Sequence, residues 1–354
     1  MALDLGMDFV GAEALAQFAD AWGQLSYPLI VTRGVVKEQY LDTVVGALGL
    51  TRYEVFSDFT PCPQLSQVES FKLSSLVAHD AIIAIGGGSA FDCAKAMKYQ
   101  WVQSLELDPK AQVRAQSLPI LCVATTFGSG AEITPFAVIY TKKGKISLSA
   151  PYLAPAACIL VPQMGLSVPK PQRAAAAVDC LCQAIEAFWS HSATPDSKVE
   201  SLECIKLCLM ALKPAVLTDD LTAQALLARA SVLSGRAICV GRTTAAHALS
   251  YYFTQYHGLA HGHAVALIMR SLFARNVAAM RDGSTLLRAL GLSFASEFKP
   301  WFEQLLQELG LVSSFAALNL DEAAIAKAVA SVNLQRLANN PATLTKDDLR
   351  SLIN

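Results

Sequence analysis

The chain is short of charge. Only 16% of its 354 residues are Asp, Glu, Lys or Arg, against 53% in the hydrophobic set, the opposite of the balance that leaves chains disordered. It also lacks an excess of either sign: 28 basic and 29 acidic residues leave a formal net charge of −1. Basic stripes and basic amphipathic faces are missing, which excludes nucleic acid and membrane surfaces as partners. Mean hydropathy is +0.38, yet no run of about 18 uninterrupted apolar residues occurs, so no spanning helix is expected. The Ala-rich stretch from Arg173 to Phe188 is interrupted by Asp179, Gln183 and Glu186 and reads as a buried helix. Met1 to Val10 holds two Asp and no basic segment, so no signal peptide is expected. The nine cysteines include no C-x-x-C pair. They read as small buried hydrophobes in a reducing compartment, and the expected location is the cytoplasm.

What is present divides in two. At roughly 150 residues per domain the length suits two domains. Through the first part, β-branched runs alternate with helical stretches. Pro28–Thr32, Tyr53–Ser57, Ala81–Ile85 and Pro119–Ala124 are the expected strands, with helices near Lys37 to Leu48 and over 64–79. Continuously apolar runs suit parallel strands covered on both faces. After about residue 165, Ala and Leu dominate and helix follows helix. Ser167-Val168-Pro169-Lys170-Pro171 is the clearest punctuation. The expectation is a doubly wound, mostly parallel α/β domain over 1–166 and an all-α domain over 167–354, with a cleft between them as the default site.

Gly86-Gly87-Gly88-Ser89 follows the third strand directly, and a helix begins near Phe91-Asp92. Glycines admit a pyrophosphate close to backbone N–H groups, and a helix N-terminus adds its positive dipole end. The loop is not G-x-G-x-x-G, and no acidic ribose ligand follows about 20 residues on. A second loop, Thr125-Thr126-Phe127-Gly128-Ser129-Gly130-Ala131-Glu132, follows the next strand. Two such loops suit a dinucleotide; a simple capped turn is the plainer alternative for each.

Asp179, Gln183 and Glu186 stand at i, i+4 and i+7, on one helix face. His247 and His261 are 14 residues apart, about 21 Å on one continuous helix. They can share an ion only if the chain turns between them, and Tyr256-His257-Gly258 is a plausible break. One carboxylate and two imidazoles suit Fe(II) or Zn(II). His263 is an alternative second ligand or a proton relay; His191 and His79 read as surface residues.

Four blocks occur in order: Gly86-Gly87-Gly88-Ser89-x-x-Asp92-x-Ala94-Lys95, Thr125-Thr126-x-Gly128-Ser129-Gly130-x-Glu132, Asp179-x-x-x-Gln183-Ala184-x-Glu186, and His247-Ala248 with His261-Gly262. Together with Asn340-Pro341-x-x-Leu344-Thr345-x-x-Asp348 they resemble the signature of the iron-containing (group III) alcohol dehydrogenases, over nearly the whole chain. The resemblance implies a dehydroquinate synthase-like fold and a metal held at Asp179, the Gln183 position, His247 and His261, with Fe(II) ahead of Zn(II). Gln183 departs from the family, which usually has His there, and an amide oxygen is the poorer donor. Around these ligands the sequence is similar to the phosphonoacetaldehyde reductase branch, which implies reduction of phosphonoacetaldehyde to 2-hydroxyethylphosphonate. The alternatives are a general short-chain alcohol dehydrogenase or aldehyde reductase, and a non-catalytic nucleotide-binding homologue with a decayed metal site. Dehydroquinate synthase chemistry itself needs a more basic pocket.

The resemblance also distributes roles. Gly86, Gly87, Gly88, Ser89, Thr125, Thr126 and Ser129 would hold the cofactor, with Lys145 near its ribose. Arg33 stands where NAD-preferring relatives often place Asp, and a cation there attracts a 2′-phosphate, so NADPH is expected ahead of NADH. A proton would come through water, His263 or Tyr251. A phosphonate needs a cationic pocket; Arg242 is the leading candidate, with Thr243, Thr244, Tyr251 and Phe136 beside the substrate and Arg336 a weaker choice. The partner is a small aldehyde or alcohol, and a homodimer is in keeping with the family.

Overall fold

In a computed structural model of the protein, residues 7–105, 108–142, 144–332 and 334–353 are described. The first six residues of the N-terminal stretch considered above for a signal peptide lie outside them. The chain falls into two compact units, Met1–Thr126 with Gly130–Ser167, and Phe127–Ser129 with Val168–Asn354.

The first unit is a parallel sheet. Its strands are β1 (Met7–Val10), β2 (Leu29–Val31), β3 (Glu54–Phe56), β4 (Ile82–Gly86), β5 (Ile120–Ala124) and β8 (Ala157–Leu160), in the spatial order β1-β8-β5-β4-β2-β3. Every pairing is parallel, with Ile83 opposite Ile30 and Leu121. A separate antiparallel pair is formed by β6 (Phe136–Thr141) and β7 (Gly144–Ser149). The helices are α1 (Ala14–Trp22), α2 (Gly34–Ala47), α3 (Leu65–Ser70), α4 (Gly88–Ser104), α5 (Pro109–Ser117) and α6 (Pro162–Leu166).

Alternation explains how the sheet is covered. Ile83, Ile85, Leu121, Val123 and Ile159 point to one face and pack with Leu15 and Phe18 of α1 and Val44 of α2. The residues between them serve the opposite face, so β4 and β5 are buried throughout. Burial of each such aliphatic side chain contributes roughly 1.5–3 kcal/mol. The chain runs from β2 out to β3 and returns past β2 to β4. The carboxyl ends of β2 and β4 therefore flank a switch point, where open α/β sheets bind ligands.

Differences from the sequence-based expectation are local. The stretch 64–79 is α3 followed by a 3-10 turn at Leu73–Ala78. Strands β1 and β8 and the β6–β7 pair were not anticipated; β1 and β8 have four residues each, too few for a clear period.

The second unit is helical: α7 (Lys170–Trp189), α8 (Pro195–Leu217), α9 (Leu221–Val240), α10 (Ala245–His257), α11 (His261–Ala278), α12 (Gly283–Ala289), α13 (Phe298–Glu308), α14 (Glu322–Ala330), α15 (Leu334–Ala338) and α16 (Lys346–Ser351). Starts are chemically marked. Thr194 caps α8 with Pro195 next, and Asp220 caps α9 by accepting from Ala223 N–H at 3.0 Å. Helix α7 is the centre, buried at every residue from Ala177 to Ser190. A helix buried all round is normally apolar, which makes Asp179, Gln183 and Glu186 its informative residues. All nine cysteines are free thiols and eight are buried. No helix among the described residues is long and apolar enough to cross a membrane.

Candidate functional site

In the sheet unit, β4 runs into Gly86–Gly87 and straight into α4, which starts at Gly88 rather than near Phe91. No acidic residue occupies the first turn of α4, so no acid of that turn offsets its dipole end. A Cβ on Gly87 would lie 2.4 Å from Thr126 Oγ1, so only glycine allows the first loop to touch the second. Thr125 N–H donates to Gly86 carbonyl at 2.8 Å, joining the ends of β4 and β5. Backbone donors at a helix start and closely apposed strand ends fit a pyrophosphate. Arg33 caps α2 just past β2, its guanidinium 5.9 Å from the Phe59 ring centre.

Behind this loop, Lys95 of α4 is buried and donates to the carbonyls of Ala131, Thr134 and Phe136. Phe136, expected beside the substrate, thus opens β6 as part of a backbone clamp. Burial pushes the Asp92 carboxyl up to about 7, against the opposing pull of Lys95, the Val138 backbone and Lys145 of β7. His79 corrects an expectation: it is buried rather than on the surface, its Nδ1 on Tyr27 carbonyl at 3.1 Å and its Nε2 3.2 Å from Glu54.

The helical unit gathers Asp179 of α7, His247 of α10 and His261 of α11, with donor atoms all within 4.8 Å of one another. The expected chain reversal is there: α10 ends at His257, left-handed Gly258 caps it, and α11 begins at His261. Gly262 makes the approach to α7 possible. A Cβ there would fall 2.1 Å from Ala175 carbonyl oxygen and 2.5 Å from Asp179 Cβ.

Glu186 aims His247. Its carboxylate accepts from Thr244 N–H (3.1 Å), Thr244 Oγ1 (2.6 Å), Ala246 N–H (3.0 Å) and His247 Nδ1. One buried acid thus satisfies donors at the start of α10 and turns the ring so that Nε2 faces Asp179 Oδ1 at 3.3 Å. Burial alone would lower the His247 pKa; Glu186 and Asp179 outweigh it and carry the ring up to about 9. Glu186 in turn, despite burial, is held below the usual carboxylate range by His247, Thr244 and Ala246. Asp179 Oδ1 and His247 Nε2 are buried and make no hydrogen bond among the described residues. Two such atoms and the adjacent second imidazole, His261, make a 2-His-1-carboxylate donor set that fits a divalent transition metal.

Gln183 stands differently from the expectation that it is a ligand. Its carboxamide oxygen accepts from Ser234 Oγ at 2.7 Å, and its nitrogen donates to Ser129 carbonyl at 3.1 Å and Asp179 Oδ2 at 3.2 Å. The amide therefore presents N–H to the Asp179 carboxylate, which orients it and leaves Asp179, His247 and His261 as the three candidate donors. Ser129, grouped with Thr125 and Thr126 by sequence, falls in the helical unit and serves this network. His263, expected as an alternative ligand or proton relay, lies outside the Asp179–His247–His261 group, its Nε2 on Val312 carbonyl at 2.8 Å. His191 is exposed, as expected.

Tyr251 stacks on His261 with ring centres 5.0 Å apart. Arg336 of α15 donates through Nη1 to Thr243 Oγ1 (2.6 Å) and Tyr251 Oη (2.9 Å). Arg336, ranked below Arg242 from sequence, is thus the arginine bonded to Thr243 and Tyr251, while Arg242 is the more exposed of the two. Glu186 and Ser234 were the residues sequence reasoning did not assign roles. Only the Asp179–Glu186 spacing hinted at the first, and nothing marked Ser234 among the serines of α9.

Comparison with known proteins returns two family models in tandem, Iron-containing alcohol dehydrogenase over residues 9–162 and Fe-containing alcohol dehydrogenase family, C-terminal, over residues 173–354. The chain is 36% identical over 211 residues to phosphonoacetaldehyde reductase of Streptomyces viridochromogenes, covering 56% of this chain and 53% of that protein. The matched part is therefore about half of that relative's length. Long-chain-alcohol dehydrogenase 1 of Geobacillus thermodenitrificans is 28% identical over 347 residues, 92% of this chain and 86% of the relative. Among solved structures, sulfoacetaldehyde reductase from Bifidobacterium kashiwanohense in complex with NAD+ superposes with a TM-score of 0.86 at 27% identity, covering 99% of this chain and 96% of that one.

Proposed function

This chain belongs to the iron-containing alcohol dehydrogenase family, and from that premise we propose that it reduces a small anionic aldehyde to the primary alcohol with a nicotinamide hydride. Phosphonoacetaldehyde is the proposed substrate and 2-hydroxyethylphosphonate the product. The observation that carries this is the convergence of Asp179, His247 and His261, one stacked residue away from Arg336. The similarity to phosphonoacetaldehyde reductase supports the same substrate class.

When bound, the metal supplies a Lewis acid for the carbonyl oxygen and reduced nicotinamide the hydride. Asp179 Oδ1, His247 Nε2 and a ring nitrogen of His261 would hold the metal, Fe(II) ahead of Zn(II). Glu186 accepts from His247 Nδ1 and so would leave Nε2 as the nitrogen that holds the metal once its own proton is lost. Gln183 fixes Asp179 through Oδ2. Tyr251 Oη, held by Arg336 and stacked by its ring on His261, is the group of this chain placed to pass a proton to the product oxygen. The Gly86–Ser89 turn, α4 and Thr126 would cradle the pyrophosphate, and Arg33 favours NADPH.

A second reading, an uncharged aldehyde, is supported by the fuller match to a long-chain-alcohol dehydrogenase. The buried donor set, with its supporting hydrogen bonds in place, speaks against a decayed site. The test is reduced-nicotinamide consumption by metal-loaded protein with phosphonoacetaldehyde and propanal side by side. A kcat/KM at least 100-fold higher for the phosphonate is expected. Equal values would select the second reading, and turnover of neither would sink both.

A further inference from the structure

Between α9 and α10 the chain makes a feature that metal binding does not need. α9 is followed by Gly241 in a right-handed conformation, and the next residue, Arg242, takes the left-handed one at φ 63°. Helix ends place glycine in that conformation because a Cβ disfavours it. Here an arginine occupies it, directly before Thr243. The loop is tied down by Asn339, whose Nδ2 donates to Gly241 carbonyl at 2.8 Å. Three residues before Asn339, Arg336 reaches the same loop and bonds Thr243 Oγ1. Arg336 is thereby bonded to the residue that directly follows Arg242. Partial desolvation pulls Arg242 below its ordinary pKa against the opposing pull of Cys239, with a smaller contribution from the charge of Arg336. A guanidinium bonded to Thr243, with a second arginine next to Thr243 in sequence, supplies the donor chemistry that recognises a phosphonate.

The position relative to the metal ligands follows from two contacts. Arg336 Cζ lies 5.2 Å from the Tyr251 ring centre, and that ring lies 5.0 Å from His261. A two-carbon aldehyde ending in a tetrahedral oxyanion spans about 5 Å from carbonyl oxygen to terminal oxygen, from ordinary bond lengths, and only the Tyr251 side chain separates Arg336 from His261 in this chain of contacts. Thr243 Oγ1 accepts from Arg336 and keeps its own proton to give.

We propose that Arg336, with Arg242 and the Thr243 hydroxyl, forms the subsite that holds a tetrahedral oxyanion one methylene from the aldehyde carbon, and that Arg336 sets the preference for charged over neutral substrates. The proposal rests on the reading above that the substrate carries such a group. It deepens that reading by naming the residues and by ranking Arg336 above Arg242. Two cations favour a doubly charged phosphonate over a singly charged sulfonate of the same shape.

The test combines turnover with a binding measurement that needs no turnover. Wild type, Arg336→Gln, Arg336→Lys and Arg242→Gln are compared for the ratio of kcat/KM on phosphonoacetaldehyde to that on propanal, and for methylphosphonate binding by calorimetry. Arg336→Gln is expected to lower the ratio about 100-fold, mainly through KM, and to weaken methylphosphonate at least tenfold. Arg242→Gln should lower the ratio about tenfold, and Arg336→Lys should recover part of the loss, which also controls for folding. A ratio unchanged in Arg336→Gln, or no methylphosphonate binding by wild type, overturns the subsite. Methylphosphonate binding that depends on Arg336, in a protein that ignores phosphonoacetaldehyde, keeps the subsite and overturns the substrate. Sulfoacetaldehyde is the last arm: a higher kcat/KM for it than for the phosphonate overturns the two-cation ranking.

Discussion

The two units make their sites from different materials. In the sheet unit the glycine loop is backbone: Gly86 and Gly87, the start of α4 and the apposed Thr125–Thr126 strand end. Few side chains have to be aimed, because strand ends and a helix N-terminus already point donors one way. In the helical unit the site is side chains sunk into a core. Asp179, Glu186 and His247 are all nearly fully buried, and each would be costly there without a partner. Glu186 therefore works twice, as the cap of α10 and as the acceptor of His247 Nδ1. A backbone site tolerates change in its neighbours; a buried polar network transmits it. That difference can be attacked residue by residue.

The largest effect is expected at Glu186. Glu186→Gln keeps the shape but removes the charge that holds the His247 proton, and metal affinity should fall about 100-fold, at the upper end for ligand-orienting partners. Competition against a chelator measures it; NADPH affinity, followed by fluorescence, should stay within about twofold. Arg33→Asp attacks the other unit. The ratio of NADPH to NADH efficiency should drop at least about tenfold, with metal affinity unchanged, because an acid there repels a 2′-phosphate. An unchanged ratio would remove Arg33 from cofactor choice.

Gln183→Ala should cost less, about tenfold in metal affinity, as expected when an orienting donor rather than a ligand is lost. A loss as large as that of His261→Ala would make Gln183 a true ligand. The smallest effect concerns Asp92. Its carboxyl sits at about 7 in the fold against about 3.9 in an unfolded chain. Between those values the folded state keeps a proton that the unfolded state has shed, so this group lowers stability as pH rises from about 4 to 7. In Asp92→Asn the fall of Tm across that window should be shallower by a few degrees. An identical slope would mean that Asp92 is ionised in the fold.

The same contrast explains what the sequence could show. The glycine loop, the strand before it and the helix after it are contiguous, so one window of about ten residues displays them together. The turn at Gly258 was legible for the same reason, and so was the polar face of α7. Ser234 was not, because its bond to Gln183 joins residues 51 positions apart. Arg336 meets Thr243 across 93 positions, and no local pattern ranks it above Arg242. The orientation of the Gln183 amide is likewise decided by Ser129, Asp179 and Ser234 together. Short strands such as β1 and β8 exist because neighbours pair with them, a tertiary cause that four residues cannot announce.

The most direct test of a three-ligand metal centre carried by the helical unit is metal stoichiometry. Protein reconstituted anaerobically with Fe(II), and separately with Zn(II), would be assayed for bound metal and for NADPH binding, as wild type and as His261→Ala. One divalent ion per chain in wild type, its loss in His261→Ala and NADPH binding kept in both are the expected result. No ion in wild type, or full retention in His261→Ala, would contradict the account.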